Sequence, residues 1–531
     1  MVENTSWRIC PAVFFGSTVI ILVVVGLAIA IPEQFADASG AIKGALVGQI
    51  GWFYLVSMTA FLVFALWLAC SRFGSVRLGA DDSEPEFNWL TWFTMLFSAG
   101  MGIGLLFFSV AEPVMHYVSP PTGDAYTREA ARQAMGLTFF HWGLHPWSMY
   151  AIVGLCLGYF TFRKGHPLSM RSALVPLLGD RALGRIGDCV DVLAVVSTMF
   201  GVATSLGLGA MQIAAGLNQV ASFSESTGVY LGIIAAITAA ATISVVTGLK
   251  AGIRRLSELN MSCAALLLVF VFISGPTVFL VISFAENLGS YAQSLLRPSF
   301  MLGTSDASIQ SWLNDWTVFY WAWWISWSPF VGTFIARISK GRTVREYIVA
   351  VFVVPTLMGF VWLTVFGGSA LHLELDGLAD SAGQPTAGGV VDYLYPEVTD
   401  PEGQVTRQYD SNRLPRTLFH LLDGLPLSGF MSIVATLCIV LFFVTSSDSA
   451  SLVIDTIASG GVGDPPVAQR IYWAVLEGVV AAALLLAGGL GALQSVAIAT
   501  AAPFCVVIIL MTVSLTLAFH RDENPHHSAT S

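Results

Sequence analysis

The sequence predicts an all-α integral membrane protein, on three observations. Hydrophobic residues fill 55% of 531 positions and charged ones 11%, with a mean hydropathy of +0.73, well outside the range of a soluble domain. Apolar runs of roughly 18–25 residues recur along the whole chain, each long enough to cross ~30 Å of hydrocarbon as a helix. Basic residues sort by loop: 17 of the 24, from Arg8 to Arg521, fall in one alternate set of connections, and seven (Lys43, Arg128, Arg132, Arg297, Arg407, Arg413 and Arg416) in the other. By the positive-inside rule this places both termini in the cytoplasm and agrees with an even number of spans.

Twelve spans are expected, near 11–31, 50–70, 90–110, 137–161, 187–217, 229–248, 262–284, 316–335, 347–371, 428–458, 471–489 and 493–519. The first follows Arg8 and ends near Phe35-Ala-Asp-Ala38, which faintly resembles a signal-peptidase site. Its apolar core is too long for a leader, so it is expected to be retained. The net charge of −10 says little about partners, because most acids lie in polar loops, notably 371–416, and nucleic acid is not an expected partner. The seven cysteines lie in or beside apolar segments with no CxxC pair, and read as small buried hydrophobes.

In the third segment, Ser98-Ala-Gly-Met-Gly-Ile-Gly104 sets three glycines at alternate positions. Each costs ~1 kcal/mol relative to Ala in a helix interior, so an unwound or closely approached backbone is expected. Within a membrane, such a backbone survives only where it lines a cavity or is buried in protein. The fourth segment holds Phe140-His-Trp-Gly-Leu-His-Pro-Trp-Ser-Met-Tyr150, in which Trp142, Trp147 and Tyr150 suit an aromatic enclosure and Pro146 is expected to bend the helix. His141 and His145, four apart, have metal-ligand spacing, but no carboxylate, Cys or second His pair is expected at their depth. Hydrogen bonding to backbone is their expected role.

The eighth segment carries Trp321, Trp323, Trp324 and Trp327 within seven residues, followed by Pro329. Lipid-anchoring tryptophans gather at helix ends, whereas these lie near the middle. Trp323 and Trp327, and Trp324 and Trp327, share a helical face. Such a wall suits a quaternary ammonium held by cation–π attraction, worth ~2 kcal/mol or more when desolvated. Aligning Asn88-Trp-Leu-Thr91 with Asn314-Asp-Trp-Thr317 sets Gly100–Gly104 opposite Ser326–Phe330, so a second helix break is expected there. Corresponding interruptions in two halves of an apolar chain point to inverted repeats with a midplane substrate site. The division is then 1–89 for two leading spans, 90–290 for a five-helix repeat, 291–519 for its inverted copy, and 520–531 for a short tail. In the tenth segment Thr445, Ser446, Ser447 and Ser449 surround Asp448 in apolar surroundings. Neutral hard oxygens of this kind suit Na⁺ when a broken helix adds free carbonyls; the alternative is that they bond back to the preceding turn or join helices.

Three stretches together, Gly100 to Pro113 (Gly-Met-Gly-Ile-Gly, then Phe-Ser-Val-Ala-Glu-Pro), His141 to Tyr150 and Asp315 to Thr343, resemble the betaine/choline/carnitine transporter family. The similarity spans essentially all twelve segments. It implies a LeuT-like fold of two inverted five-helix repeats, assembled as homotrimers in the plasma (bacterial inner) membrane, that carries trimethylammonium or related zwitterions inward by alternating access. Carried over by position, the aromatic box is Trp142, Trp147, Tyr150 and Trp324, with Trp323 and Trp327 along the path. The backbone of Met101, Gly102 and Gly104 faces the substrate carboxylate. One Na⁺ lies among the carbonyls of Ser98, Met101 and Phe442 and the hydroxyls of Thr445 and Ser446. A second uses Thr198 and the neighbourhood of Phe330, although Val202 stands where the family has a further hydroxyl.

Proton-linked relatives place an acid where this chain has Gly104, and sodium-independent exchangers place a basic side chain in the ion site; this sequence has neither. Sodium-coupled uptake of glycine betaine or a dimethylsulfonium analogue such as dimethylsulfoniopropionate is therefore expected, with Na⁺ as coupling ion, no cofactor and no enzymatic activity. The alternatives are a proton-coupled choline or carnitine carrier, a channel or sensor using the same pocket, and a redox protein using His141 and His145.

Overall fold

The structure is a computed structural model that describes residues 7–100, 102–247, 250–304, 306–377, 389–399, 404–461 and 465–523. It is nearly all helical. The principal helices are α1 (Pro11–Ala30), α2 (Pro32–Cys70), α3 (Trp89–Gly100), α4 (Ile103–Val118), α5 (Arg128–Trp142), α6 (Leu144–Gly158), α7 (Arg185–Ala221), α8 (Thr227–Thr247), α9 (Lys250–Ser274), α10 (Thr277–Ser294), α11 (Thr317–Ile338), α12 (Val344–Gly377), α13 (Ser428–Ala458) and α14 (Val467–Glu523). A short antiparallel hairpin, β1 (Glu397–Thr399) with β2 (Val405–Arg407), sits in the polar connection before α13.

Among the described residues, eight helices are long and apolar enough to cross a membrane, or nine if the bent pair α3–α4 counts as one span. Part of the difference from twelve has local causes. At 57 residues α14 would reach ~85 Å if straight, far beyond a bilayer; its backbone leaves helical geometry at Gly488 and Gly489, so it holds both the 471–489 and 493–519 segments. The 137–161 segment is divided at Gly143 into α5 and α6, each of 15 residues and too short to span alone. The 262–284 segment is corrected: α9 ends at Ser274, and Gly275-Pro276 separates it from α10. There the Thr277 hydroxyl donates to the freed Phe272 carbonyl at 2.7 Å.

Of the two expected breaks, the first is present and the second is not. α3 and α4 lie at 65° to one another, and Gly102 is extended at φ −164°. In contrast α11 runs unbroken through Pro329. Proline removes the N–H that would bond to the carbonyl four residues back, Ile325, and an unsatisfied carbonyl usually ends or kinks a helix. Here the Ser328 hydroxyl donates to the Ile325 carbonyl at 2.7 Å and replaces the missing bond. Ser328, within the stretch where a break was expected, is the repair.

The interior is organised around α7, buried along most of its length and packed against α1, α4, α8, α11, α13 and α14. α6 and α11 cross at glycine contacts: a Cβ on Gly332 would lie 2.5 Å from the Val153 side chain and 3.1 Å from the Gly154 nitrogen. Close approach of these backbones brings their aromatic faces together. Where the chain enters α3, the buried Arg342 guanidinium lies over Trp89 at 4.1 Å and Trp92 at 4.4 Å, tying α3 to the α11–α12 loop.

Ser328→Ala should leave the Ile325 carbonyl unsatisfied, cost about 1–3 kcal/mol and lower the melting temperature of the purified protein. The double change Ser328→Ala, Pro329→Ala restores a backbone donor and should recover most of that loss in the same thermal-shift assay.

Candidate functional site

The break between α3 and α4 opens onto a cavity lined by Gly102, Gly104, Trp142, Trp147, Tyr150, Ser205, Trp323, Trp324 and Trp327, with Ile103, Leu105 and Val331 among the apolar remainder. Three helices supply its aromatic rings. Trp142 ends α5, Trp147 and Tyr150 occupy the first two turns of α6, and the remaining indoles share a face of α11. Trp142 and Trp324 meet edge to face with centroids 4.9 Å apart, as do Trp147 and Tyr150 at 5.5 Å; Tyr150 lies 6.5 Å from Trp324. Trp323 stacks on Trp324 at 4.8 Å. All of these are buried except the half-buried Trp327, so the rings face protein interior. Gly104 is required by contact, because a Cβ there would lie 2.4 Å from the Trp323 ring.

The rings are held from behind by a buried carboxylate. Glu112, on α4, accepts on one oxygen from His141 Nδ1 at 2.8 Å and from His116 Nε2 at 3.3 Å. Its other oxygen accepts from Trp142 Nε1 at 2.8 Å and from the Tyr320 hydroxyl. With Nδ1 of His141 donating, its Nε2 is left to accept from Thr317 Oγ1 at 2.9 Å. The His141 carbonyl in turn accepts from Trp324 Nε1 at 3.0 Å, and Trp327 Nε1 donates to the Gly201 carbonyl at 2.8 Å. One ionised side chain thus orients Trp142 directly and Trp324 through His141.

Sequence reasoning missed Glu112 and His116 and expected no carboxylate at the depth of His141; the structure corrects this. The available signal was an acid and a histidine four apart within an apolar helix, since an ionisable group at that depth needs a partner. The donor atoms of Glu112, His116 and His141 lie within 4.8 Å of one another, which is metal-site composition. All four lone-pair directions of the carboxylate are nevertheless taken by N–H and O–H donors, which accounts for the cluster as a hydrogen-bond hub. His145 stands apart, with its Nε2 3.1 Å from Ser299 Oγ.

A second cavity brings together Ser98, Phe442, Thr445, Ser446, Ser449 and Phe330, joined by Ser257 and Asn260, which the sequence did not single out. The Thr445 hydroxyl donates to the Leu441 carbonyl at 2.8 Å. Ser447 turns to the opposite side, donating to the buried Glu477 at 3.0 Å. Thr198, on α7, is not part of that lining; it and Ser205 are buried with hydroxyls that have no partner among the described residues. Met101 lies outside the described residues.

Many apolar helices around an aromatic-lined cavity define a multi-pass membrane protein. A sequence model of the BCCT, betaine/carnitine/choline family transporter matches residues 12–524. An uncharacterized transporter of Mycobacterium tuberculosis is 49% identical over 519 residues, covering 96% of this chain and 83% of its own. A glycine betaine/proline/choline/ectoine transporter of Vibrio parahaemolyticus is 44% identical, covering 95% and 86%. The glycine betaine transporter OpuD of Bacillus subtilis is 42% identical, covering 93% and 91%. The chain belongs to the betaine/carnitine/choline family of transporters.

Glu112→Gln replaces one acceptor oxygen with an NH₂ that cannot serve the indole, phenol or imidazole donors. It should cost about 1–3 kcal/mol for each donor left unpaired, read as a lower melting temperature together with altered tryptophan emission in the ligand-free protein.

Proposed function

We propose that the chain is a sodium-coupled carrier that takes up a betaine-type compatible solute, a quaternary ammonium or dimethylsulfonium zwitterion, by alternating access. The observation that carries this reading is the enclosure of Trp142, Trp147, Tyr150 and Trp324 beside the first turn of α4. A methylated cation among desolvated π faces is attracted without needing a hydrogen-bond acceptor. The first backbone N–H groups of a helix have no acceptor within it and favour negative charge, so the start of α4 suits the carboxylate at the other end of such a zwitterion. The Ser205 hydroxyl in the same lining, without a partner among the described residues, is a further donor. Relatives named for glycine betaine, choline, proline and ectoine support the substrate class.

Sodium is the proposed coupling ion because the second cavity offers neutral hydroxyl and amide oxygens, with Ser98, Thr445 and Ser446 among them and no Lys or Arg among the described residues of its lining. The same reading takes the chain as twelve spans with two inverted five-helix repeats, assembled as homotrimers in the plasma membrane with cytoplasmic termini.

In proteoliposomes, uptake of labelled glycine betaine should require an inward Na⁺ gradient and fail when K⁺ replaces Na⁺. Trp324→Leu should raise KM about 30-fold, the equivalent of ~2 kcal/mol, whereas Trp52→Leu, at an exposed position, should leave KM unchanged. Uptake that is equal in K⁺ removes the coupling, and an unchanged KM in Trp324→Leu removes the aromatic site.

A further inference from the structure

The aromatic box is split by a chain break. Trp142 is the last residue of α5, Gly143 is non-helical, and Leu144 opens α6, which carries Trp147 and Tyr150. Two helix segments joined at one non-helical residue keep a fixed angle only if something outside them holds the joint. The N–H of Leu144 is one of the donors that a helix start leaves without an acceptor. It is taken by the Tyr291 hydroxyl of α10, at 3.0 Å.

Tyr291 is itself firmly seated. It is 5% exposed, and its ring packs edge-on against Phe360 at 4.9 Å, while Phe360 stacks on Phe139 of α5 at 3.9 Å. The fit leaves no room at the joint: a Cβ on Gly143 would lie 2.7 Å from the Tyr291 oxygen and 2.5 Å from the Phe139 carbonyl.

The chain just beyond α10 grips the next residue. Ser299 Oγ donates to the Leu295 carbonyl at 2.6 Å, so it accepts from His145 Nε2 at 3.1 Å. Its own carbonyl is tied to α2 by the Thr59 hydroxyl at 3.0 Å. Consecutive residues at the start of α6 are therefore held by two side chains of one connector. That connector turns Val278, Val281 and Ile282 outward and contributes nothing to the cavity lining.

We propose that Tyr291, seconded by Ser299, is a positioning residue for the substrate cavity: the α10 connector sets the α5–α6 joint and so fixes Trp142 relative to Trp147 and Tyr150. The functional consequence rests on the betaine-binding reading. Tyr291 acts through the backbone of α6, so its removal loosens the box without removing a ring from it.

The test compares wild type with Tyr291→Phe, Ser299→Ala and the outward-facing control Val281→Ala. Tyr291→Phe removes only the oxygen that accepts from Leu144. It should raise the KM for glycine betaine about fivefold or more, the effect of one lost buried hydrogen bond, with kcat nearly unchanged. Ser299→Ala should act in the same direction and more weakly. In ligand-free protein, Tyr291→Phe should shift tryptophan emission and Val281→Ala should not; this arm needs no substrate, so it decides the positioning claim even if glycine betaine is not the ligand. An unchanged emission spectrum, an unchanged KM, or a fall in kcat at constant KM overturns the proposal. A wild type indifferent to glycine betaine, with the spectral shift present, removes the substrate reading and leaves the brace.

Discussion

The structure depends most on one carboxylate placed among aromatic rings. An ionised group buried in an apolar bundle is tolerated only when nearly every lone pair meets a donor, and Glu112 meets four, from His116, His141, Trp142 and Tyr320. The requirement runs both ways. The carboxylate needs these donors to remain buried, and the indole and phenol gain a fixed orientation by supplying them. Because His141 passes the constraint to Trp324 through its backbone carbonyl, rings on α5 and α11 are set relative to α4, the helix that begins at the cavity. The network fixes the orientation of the rings that line the cavity.

Helix interruptions follow the same economy of satisfied backbone groups. At Gly102 the chain leaves the helix and presents a fresh helix start to the cavity; at Gly143 a fresh start is capped from outside by Tyr291. At Pro329 the lost donor is replaced within the same turn by Ser328, and the helix continues. Whether a glycine or proline breaks a membrane helix is decided by who accepts or donates at the freed group, and in this fold that partner is frequently one residue away or on another helix.

This explains what was legible in the sequence. Helical content, the family, the glycine break after α3 and the shared face of Trp323, Trp324 and Trp327 follow from local spacing, and local spacing is what a sequence displays. The expected second break did not, because whether Pro329 breaks the helix depends on whether the neighbouring hydroxyl reaches the freed carbonyl, which only the folded helix shows. The Gly143 joint was masked by Pro146, the more conspicuous breaker three residues on. Glu112 was quoted within a family motif yet assigned no role, since three of its four partners, His141, Trp142 and Tyr320, come from α5 and α11, 29 to 208 residues away, and only the fold brings them within reach. Ser257 and Asn260 of the second cavity were missed for the same reason: they look like ordinary polar residues until α9 packs against α13.

The proposed function requires the aromatic enclosure to recognise a positive charge, and not merely a bulky methylated head. Glycine betaine and 3,3-dimethylbutanoate have the same shape and the same carboxylate and differ in whether nitrogen or carbon bears the three methyl groups. Titrating both into the purified protein by calorimetry isolates the charge. Binding of the betaine at least about 30-fold tighter than its carbon analogue, the equivalent of ~2 kcal/mol, is the predicted result. Equal affinity for the two would contradict the account, because shape alone would then explain the pocket.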